Sequence, residues 1–376
     1  MPSILSCLAH IRMWNKNTIV NKKILEITPY QPGKPIEEVK RQLGLQKVIK
    51  LASNENPLGP SPKAIRAIQK ALAKINRYPE GSCFYLRQAL SARLKVKPQN
   101  LIFGNGSDEI IDIIIKAFCE PEDEIVTSDV TFLEYKIIAW QNGRKVTTVP
   151  LKDFAYDLAK IKDILNPRTK VVFIANPNNP TGAYVARKEV EDFLKALPRR
   201  VVVVFDEAYL EFVDAKDFPL ILRYVKEGRN VIILRTFSKI YGLAGLRIGY
   251  GIAKEEFIKY MERVRQPFNV NALAQEAAYA ALDDTAFIRK SKAIVTRGKE
   301  YLCREFKKLG IKYIPSQANF ILFCAPQDGL KVFQRLLTQG VIVRDMCQYG
   351  LNNFIRVTVG TKPENEKFIK ALRKVL

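Results

Sequence analysis

Residues 201–208 have the sequence VVVVFDEA, an unbroken apolar run that ends in Asp206. A strand with one face in water alternates apolar and polar residues, whereas a continuous apolar run of this length is typical of a strand buried on both faces. Residues 170–176 (KVVFIAN) and 230–236 (NVIILRT) have the same form. These three stretches predict the central strands of a parallel sheet that is covered by helices.

The same pattern extends from about residue 100 to residue 252. Strand-like stretches such as 123–127 (DEIVT) alternate with helix-like stretches such as 107–118 (SDEIIDIIIKAF) and 187–197 (RKEVEDFLKAL). This alternation is typical of a sheet with helices on both faces. We therefore predict an α/β fold, in which a large domain with a mostly parallel sheet is accompanied by a smaller α+β domain.

The predicted organisation has four segments. Residues 1–25 contain no acidic residue and form an N-terminal extension, interpreted as disordered, as a transit-type segment or as a misassigned start with Met13 as the true one. Residues 26–60 form an arm that belongs in part to the small domain. Residues 61–270 form the large domain, and residues 271–376 form the small C-terminal domain.

Composition excludes several classes of protein. The chain is 47% hydrophobic and 26% charged, and it has no apolar run long enough for a membrane span. The 61 basic residues outnumber the 38 acidic ones, so the net charge is +23. A nucleic-acid-binding protein would concentrate this charge, but the basic residues are spread along the chain. We expect no nucleic-acid or membrane partner, and we keep nucleic-acid binding as a remote alternative.

The cysteine and histidine content limits the kinds of disulfide, metal site and catalytic site that the chain can form. Six cysteines without a CxxC pair indicate a reduced, cytoplasmic protein without a disulfide framework. The single histidine, His10, lies in the N-terminal extension, which excludes a serine–histidine–aspartate triad and a three-histidine zinc site in the main body. Proton transfer must therefore use Lys, Tyr, Asp, Glu or a cofactor, and we expect no metal.

Polar residues follow four of the predicted strands. The turn 104–108 opens a helix, and Asn179, Asp206 and the pair Ser238-Lys239 follow the other three strands. Each feature alone is as ordinary as a helix cap or a turn. Because the carboxyl ends of parallel strands meet at one edge, their convergence predicts a single binding site.

The residue types at this edge suit one ligand. A buried lysine such as Lys239 is a nucleophile for an aldehyde. A helix N-terminus binds an anion, and nearby hydroxyls and an arginine complete a phosphate site. The residues expected around that phosphate are Gly106, Ser107, Asp108, Thr236, Ser238 and Arg247.

The remaining positions suit an aromatic ring. Asp206 can keep a ring nitrogen protonated, Asn179 and Tyr209 can hydrogen-bond a ring hydroxyl, and Phe132 can stack on the ring face. An aldehyde, a phosphate, a ring nitrogen and a ring hydroxyl together describe pyridoxal 5′-phosphate. Its chemistry needs a lysine and an acidic partner for the ring nitrogen.

At this point a family resemblance becomes clear. The order and spacing of Asn179, Asp206, Tyr209, Ser238-Lys239 and Arg247 resemble those of the fold-type-I pyridoxal-phosphate-dependent aminotransferases. From about residue 26 to the C-terminus, the chain resembles the histidinol-phosphate aminotransferases in particular. The motifs that carry this resemblance are LASNENPLGPSP (51–62), RYPEG (77–81), GNGSDEIID (104–112), NPNNPTG (176–182), FDEAYLEF (205–212), TFSKIYGLAGLRIGY (236–250) and VIVRDMCQYGLNNFIRVTVGT (341–361).

The resemblance implies further roles. Lys239 would bond the cofactor aldehyde and then move a proton during the reaction. Tyr78 would reach the cofactor phosphate of a neighbouring subunit, so a homodimer with shared active sites is expected. Tyr30 and Asn54 would lie at the substrate entrance. Two arginines, Arg344 and Arg356, would hold the anionic end of the substrate.

The implied reaction converts L-histidinol phosphate and 2-oxoglutarate into imidazole acetol phosphate and glutamate, a step of histidine biosynthesis. One departure from the family pattern is Phe132, a position where tyrosine also occurs. An aromatic amino-acid aminotransferase remains an alternative, since the arginines would then bind an α-carboxylate. A phosphothreonine decarboxylase-like enzyme is the other alternative.

Overall fold

The computed structural model describes residues 24–25, 27–326 and 328–376. The predictions for residues 1–23, including Met13 as an alternative start, lie outside the described residues. The helices are α1 (Ile36–Leu43), α2 (Pro62–Ala71), α3 (Phe84–Leu94), α4 (Gly106–Phe118), α5 (Glu134–Gln141), α6 (Leu158–Ile164), α7 (Arg187–Ala196), α8 (Leu222–Lys226), α9 (Glu255–Glu262), α10 (Ala272–Leu282), α11 (Thr285–Lys308), α12 (Gly329–Thr338) and α13 (Lys362–Val375).

The strands form three sheets. Their bounds are β1 (Ile49–Lys50), β2 (Leu101–Gly104), β3 (Glu124–Ser128), β4 (Lys145–Val149), β5 (Thr169–Ala175), β6 (Val202–Asp206), β7 (Val231–Thr236), β8 (Gly249–Ala253), β9 (Tyr313–Ile314), β10 (Phe320–Cys324), β11 (Val341–Ile342), β12 (Arg344–Asp345) and β13 (Phe354–Thr358).

The largest sheet has the order β2-β8-β7-β6-β5-β3-β4. Strand β8 is antiparallel to both of its neighbours, and the other six strands all point the same way. Every residue of β6 is buried, and in each of β5 and β7 all residues but one are buried. The prediction of a mostly parallel sheet covered on both faces is therefore confirmed, and the continuous apolar runs are its central strands.

The C-terminal part of the chain is α+β, as predicted. Strands β12, β13, β10 and β9 form an antiparallel sheet, in that order. The N-terminal arm joins this part, because β1 pairs in parallel with β11. The predicted small C-terminal domain begins with two consecutive helices, α10 and α11. None of the helices in the described residues is long and apolar enough to cross a membrane.

Glycine allows α4 to start directly against the sheet. Gly249, the first residue of β8, pairs with Gly104 at the end of β2. A Cβ atom at Gly249 would lie 2.7 Å from the backbone nitrogen of Ser107 and 2.9 Å from the carbonyl carbon of Gly106. Since these are backbone atoms of the first turn of α4, they cannot move aside without displacing the helix.

We expect Gly249→Ala to destabilise the protein by about 1–3 kcal/mol, the usual effect of an overpacked site. Gly245 is the matched control, because it is exposed and its Cβ would meet no atom within 4 Å. Urea unfolding of both variants measures the difference. Equal stability of the two alanine variants would contradict the close approach of α4 to β8.

Candidate active site

A cavity of about 260 Å³ lies at the carboxyl edge of the large sheet. Four of its lining residues come from the four strand ends that the sequence singled out: Ser107 after β2, Asn179 after β5, Asp206 at the end of β6 and Ser238 after β7. They meet because these four strands point the same way. The other predicted residues that line the cavity are Tyr30, Asn54, Asp108, Phe132, Tyr209, Thr236, Lys239, Arg247, Arg344 and Arg356.

One end of the cavity is built to receive an anion. Helix α4 begins there, and its N-terminal N–H groups carry partial positive charge. Arg247 lies against this helix end and donates to Asp108 Oδ2 at 2.9 Å. Gly106 has a φ of 81°, and a Cβ on it would overlap the Arg247 guanidinium. Only glycine at this position therefore lets the arginine reach the start of the helix.

Two hydroxyls complete this anion-binding end. Thr236 Oγ1 accepts a hydrogen bond from the backbone N–H of Ser238 at 3.1 Å, which holds the turn after β7. The Ser238 hydroxyl in turn lies 3.5 Å from Arg247 Nη1. A helix end, a guanidinium and hydroxyls at one point are the donors that a phosphate group requires.

Lys239 lines the same cavity. Its Nζ is 3.5 Å from the carbonyl oxygen of Ser53 and 5.7 Å from the centre of the Tyr209 ring. The side chain is half-buried. In the described residues, no carboxylate forms an ion pair with this lysine. Its amine is thus held by a carbonyl oxygen and not by an acidic side chain, in the wall of the cavity.

Asp206 lies at the floor of the cavity with 5% of its surface exposed. Its Oδ2 accepts a hydrogen bond from the Tyr135 hydroxyl at 2.7 Å, and its Oδ1 accepts one from the Ala208 N–H at 3.0 Å. Burial raises the pKa of Asp206 to about 6, although the Tyr135 hydrogen bond acts in the opposite direction. A cation that binds beside this carboxyl group would favour its ionised form.

Two buried arginines form the other end of the cavity. Arg356 donates to Asn179 Oδ1 and, at 2.7 Å, to the carbonyl oxygen of Ala52. Its Nε is buried and has no hydrogen-bond partner among the described residues. Neither Arg344 nor Arg356 has an acidic partner within ion-pair distance in that part of the chain. Two buried guanidinium groups without an acidic partner are chemically suited to bind an anion at this end.

The position of Arg344 is set by polar and aromatic neighbours. Its Nη2 donates to the carbonyl oxygen of Gln31 at 2.6 Å and to Gln348 Oε1 at 2.9 Å. Its guanidinium lies 5.5 Å from the centre of the Tyr30 ring. The N-terminal arm thus closes over the arginine end of the cavity, where the sequence placed the substrate entrance.

Asn54, predicted at the substrate entrance, is buried in the wall of the cavity. Its Nδ2 donates to the Tyr209 hydroxyl at 3.0 Å, and its Oδ1 accepts from the Thr358 hydroxyl at 3.1 Å. Asn54 therefore connects the cavity floor to β13, which also carries Arg356. It lines the cavity, but as a buried link between two parts of the chain.

The comparison with known families agrees with this geometry. The model of the family described as aminotransferase class I and II matches residues 46–372. The chain belongs to the class I and II aminotransferases. It is an enzyme of the transferase class, as the resemblance implied.

Individual relatives show which enzymes of this family the chain is similar to. The aminotransferase is 54% identical to a histidinol-phosphate aminotransferase of Moorella thermoacetica, over 94% of this chain and 92% of the relative. It is 46% identical to a histidinol-phosphate aminotransferase of Anaeromyxobacter sp., over 95% of this chain and 99% of the relative. The structure of the Sinorhizobium meliloti histidinol-phosphate aminotransferase, a complex with pyridoxal-5′-phosphate, matches with a TM-score of 0.86, 27% identity, and coverage of 96% and 98%.

Two predicted site residues of the aminotransferase, Tyr78 and Gly106, are not among the residues that line the cavity. Tyr78 is 83% exposed, and its ring stacks on Phe268 at 4.8 Å. The prediction placed Tyr78 in the site of a neighbouring subunit, so a position away from the cavity of its own chain is compatible with it. Gly106 contributes to the site through its missing Cβ rather than as a lining side chain.

Sequence reasoning missed several residues that line the site, among them Ser53, Tyr135 and Ala208. Ser53 and Ala208 act through backbone groups, which carry no signal in the sequence. Tyr135 follows Phe132 by three residues, and this short separation across the start of α5 brings the two rings to 5.5 Å from each other. That spacing was the available signal for an aromatic hydroxyl below the stacking residue.

The raised pKa of Asp206 predicts a pH-dependent effect of Asp206→Asn on the ligand-free protein. Between the ordinary pKa of 3.8 and the folded value of about 6, the folded state keeps a proton that the unfolded state has lost. The stability of the wild type therefore falls as pH rises through this window, whereas the asparagine variant has no such loss. The stability of the variant relative to wild type should rise by up to about 3 kcal/mol.

Urea unfolding of both proteins at several pH values across the window gives this difference. Asp192→Asn is the control, because the hydrogen bond from Lys188 lowers the pKa of Asp192 and its removal cannot produce the same rise. A difference between Asp206→Asn and wild type that is constant with pH would show that Asp206 is ionised throughout.

Proposed function

We propose that the chain catalyses the pyridoxal-phosphate-dependent transamination of L-histidinol phosphate with 2-oxoglutarate, which gives imidazole acetol phosphate and glutamate in histidine biosynthesis. The observation that carries the proposal is one cavity that is lined by two groups of anion donors and by Lys239. One anion site suits a cofactor phosphate and the other suits the anionic end of a substrate. The names of the similar enzymes support the same reaction.

The residues of the cavity fit pyridoxal 5′-phosphate. The start of α4, the hydroxyls of Thr236 and Ser238, and Arg247 would hold the phosphate, in the space that Gly106 leaves open. When bound, the cofactor supplies an aldehyde carbon that bonds amines and a ring that accepts electrons from the substrate carbon. Ser107 and Asp108 lie beside the same helix end.

The chain's own groups would orient the ring and move the proton. Asp206 offers a carboxylate to the ring nitrogen, and Phe132 offers a ring face for stacking. Asn179 and Tyr209 would hydrogen-bond the ring oxygen. With Arg356 donating to its Oδ1, Asn179 is oriented so that its Nδ2 can donate. The Lys239 amine would take a proton from the carbon that bears the substrate amine and return it on the cofactor side, as general base and then acid.

Arg344, Arg356 and Tyr30 would bind the phosphate ester of histidinol phosphate. A phosphate dianion accepts more hydrogen bonds than a carboxylate, and two guanidinium groups with a nearby hydroxyl supply them. The buried Nε of Arg356 is one donor that remains available to a ligand. This donor set supports a phosphorylated substrate over an aromatic amino acid.

We further propose that the active unit is a homodimer. Tyr78 and Tyr85 are strongly exposed, and Phe84, Ile75 and Phe268 are also exposed. Exposed aromatic and aliphatic residues close together are typical of a subunit interface. In such a dimer, Tyr78 would reach the phosphate end of the partner's cavity.

A cytoplasmic location belongs to the same proposal. The described cysteines, Cys83, Cys119, Cys303, Cys324 and Cys347, are free thiols. Unpaired cysteines in a chain of this size are typical of a reducing compartment.

A mixing experiment tests both the lysine and the shared site. Lys239→Ala should lose nearly all turnover, and Tyr78→Ala should be strongly impaired. A hybrid of the two has one site that contains both native residues, so random reassociation should restore about a quarter of wild-type activity. If the mixture is no more active than its components, Tyr78 does not act across a subunit interface. Normal turnover by Lys239→Ala alone would contradict its role.

Substitution of the arginines tests the substrate. Each charge-assisted hydrogen bond lost should lower kcat/KM for histidinol phosphate roughly tenfold to a hundredfold. We expect this for Arg344→Ala and Arg356→Ala, and we expect unphosphorylated histidinol to be a poor substrate of the wild type. Arg304→Ala is the control, because that side chain is 62% exposed on α11.

The same assays separate the alternatives. Wild-type kcat/KM is compared for histidinol phosphate, histidinol, phenylalanine and phosphothreonine, with carbon dioxide release measured for the last. If phenylalanine is the best amino donor, the enzyme is an aromatic amino-acid aminotransferase. If phosphothreonine releases carbon dioxide, the decarboxylase alternative replaces the proposal.

A further inference from the structure

Tyr135 has no assigned role, yet it is completely buried beside the cavity. Its hydroxyl donates to Asp206 Oδ2 at 2.7 Å. Its ring stacks on Phe173 with centres 5.0 Å apart and planes 8° apart, and it meets the edge of Phe132 at 5.5 Å. Because the ring is held between two aromatic neighbours, its hydroxyl is directed at one oxygen of the carboxyl group.

We propose that Tyr135 is a positioning residue that keeps Asp206 ionised and aimed into the cavity, and thereby sets the lowest pH at which the site can pair with the ring nitrogen of its cofactor. The inference rests on the proposed function only for the identity of that nitrogen. The hydrogen bond between Tyr135 and Asp206 is present without any ligand and does not depend on that proposal.

The surroundings of Asp206 explain why one hydroxyl has this influence. Burial favours the neutral acid, and Asp108 on α4 favours it further through its own negative charge. Lys239, after β7, favours the carboxylate. Among the described residues, the hydrogen bonds to the carboxyl group come from the Tyr135 hydroxyl and the Ala208 N–H. Only the first of these can be removed by substitution.

Two other tyrosines lie close enough to affect Asp206. Tyr156 is also fully buried, but its hydroxyl donates to Thr131 Oγ1 at 2.6 Å and lies 3.2 Å from Thr127 Oγ1. The Tyr209 hydroxyl accepts from Asn54. Neither hydroxyl bonds to Asp206, so Tyr156 provides a matched control for the loss of a buried phenol.

The test uses Tyr135→Phe, which removes one oxygen atom and keeps both ring contacts. Loss of a hydrogen bond to the charged form should raise the pKa of Asp206 by about one unit. Above the wild-type value of about 6, the folded variant then keeps a proton that the folded wild type has released. Its stability therefore falls with pH over an interval where the wild type is level.

The first measurement is urea unfolding of the cofactor-free proteins across this pH range. The stability gap between wild type and Tyr135→Phe should widen with rising pH, whereas the gap for Tyr156→Phe should stay constant. In the Asp206→Asn background, the widening should vanish. A constant gap for Tyr135→Phe would overturn the proposal, since a merely structural tyrosine costs the same stability at every pH.

The second measurement is the dissociation constant of pyridoxal 5′-phosphate as a function of pH, by equilibrium dialysis. The pH below which binding weakens should be about one unit higher in Tyr135→Phe than in the wild type, and it should be unchanged in Tyr156→Phe. If the unfolding gap widens but this pH does not change in Tyr135→Phe, the Tyr135–Asp206 link stands and Asp206 is not the partner of the cofactor nitrogen. That outcome would count against the proposed function instead.

Discussion

The active site depends on the direction of the central strands. Strands β5, β6 and β7 are parallel and their central residues are buried on both faces, so their polar residues lie near the strand ends. Strand β2 reaches the same edge because the antiparallel β8 lies between it and β7. This arrangement gathers an anion-binding helix end, an amide, a carboxyl group and a lysine around one cavity.

The same edge carries charge that the fold alone does not neutralise. Asp206 is held in a buried environment that raises its pKa to about 6. At the other end, two buried guanidinium groups lack acidic partners within the described residues, and Arg356 Nε lacks a hydrogen bond. Such groups lower the stability of a ligand-free protein, and they are typical of sites whose ligand supplies the missing partner. The unpaired charged groups of the cavity therefore lower the free energy of unfolding of the ligand-free protein, and a ligand that pairs with them would raise it.

Contacts between distant parts of the chain hold these charged groups in place. Thr358 on β13 bonds to Asn54 in the N-terminal arm, and Asn54 bonds to Tyr209 after β6. Arg356 on the same strand bonds to Asn179 after β5. The arm also pairs with β11 through β1. The residues of the large sheet edge and those of the arginine end are thus joined by hydrogen bonds as well as by their shared cavity.

The sequence by itself determined the sheet and most of the residues at its edge. Continuous apolar runs can be buried only in a covered sheet, and parallel strands place the residues that follow them together, so Asn179, Asp206 and Lys239 could be predicted. Only the tertiary structure decided the contact between Tyr135 and Asp206 and the link through Asn54, because those contacts join residues 71 and 304 positions apart. Local patterns carry backbone preference and burial, but they do not specify which distant side chain donates to which oxygen.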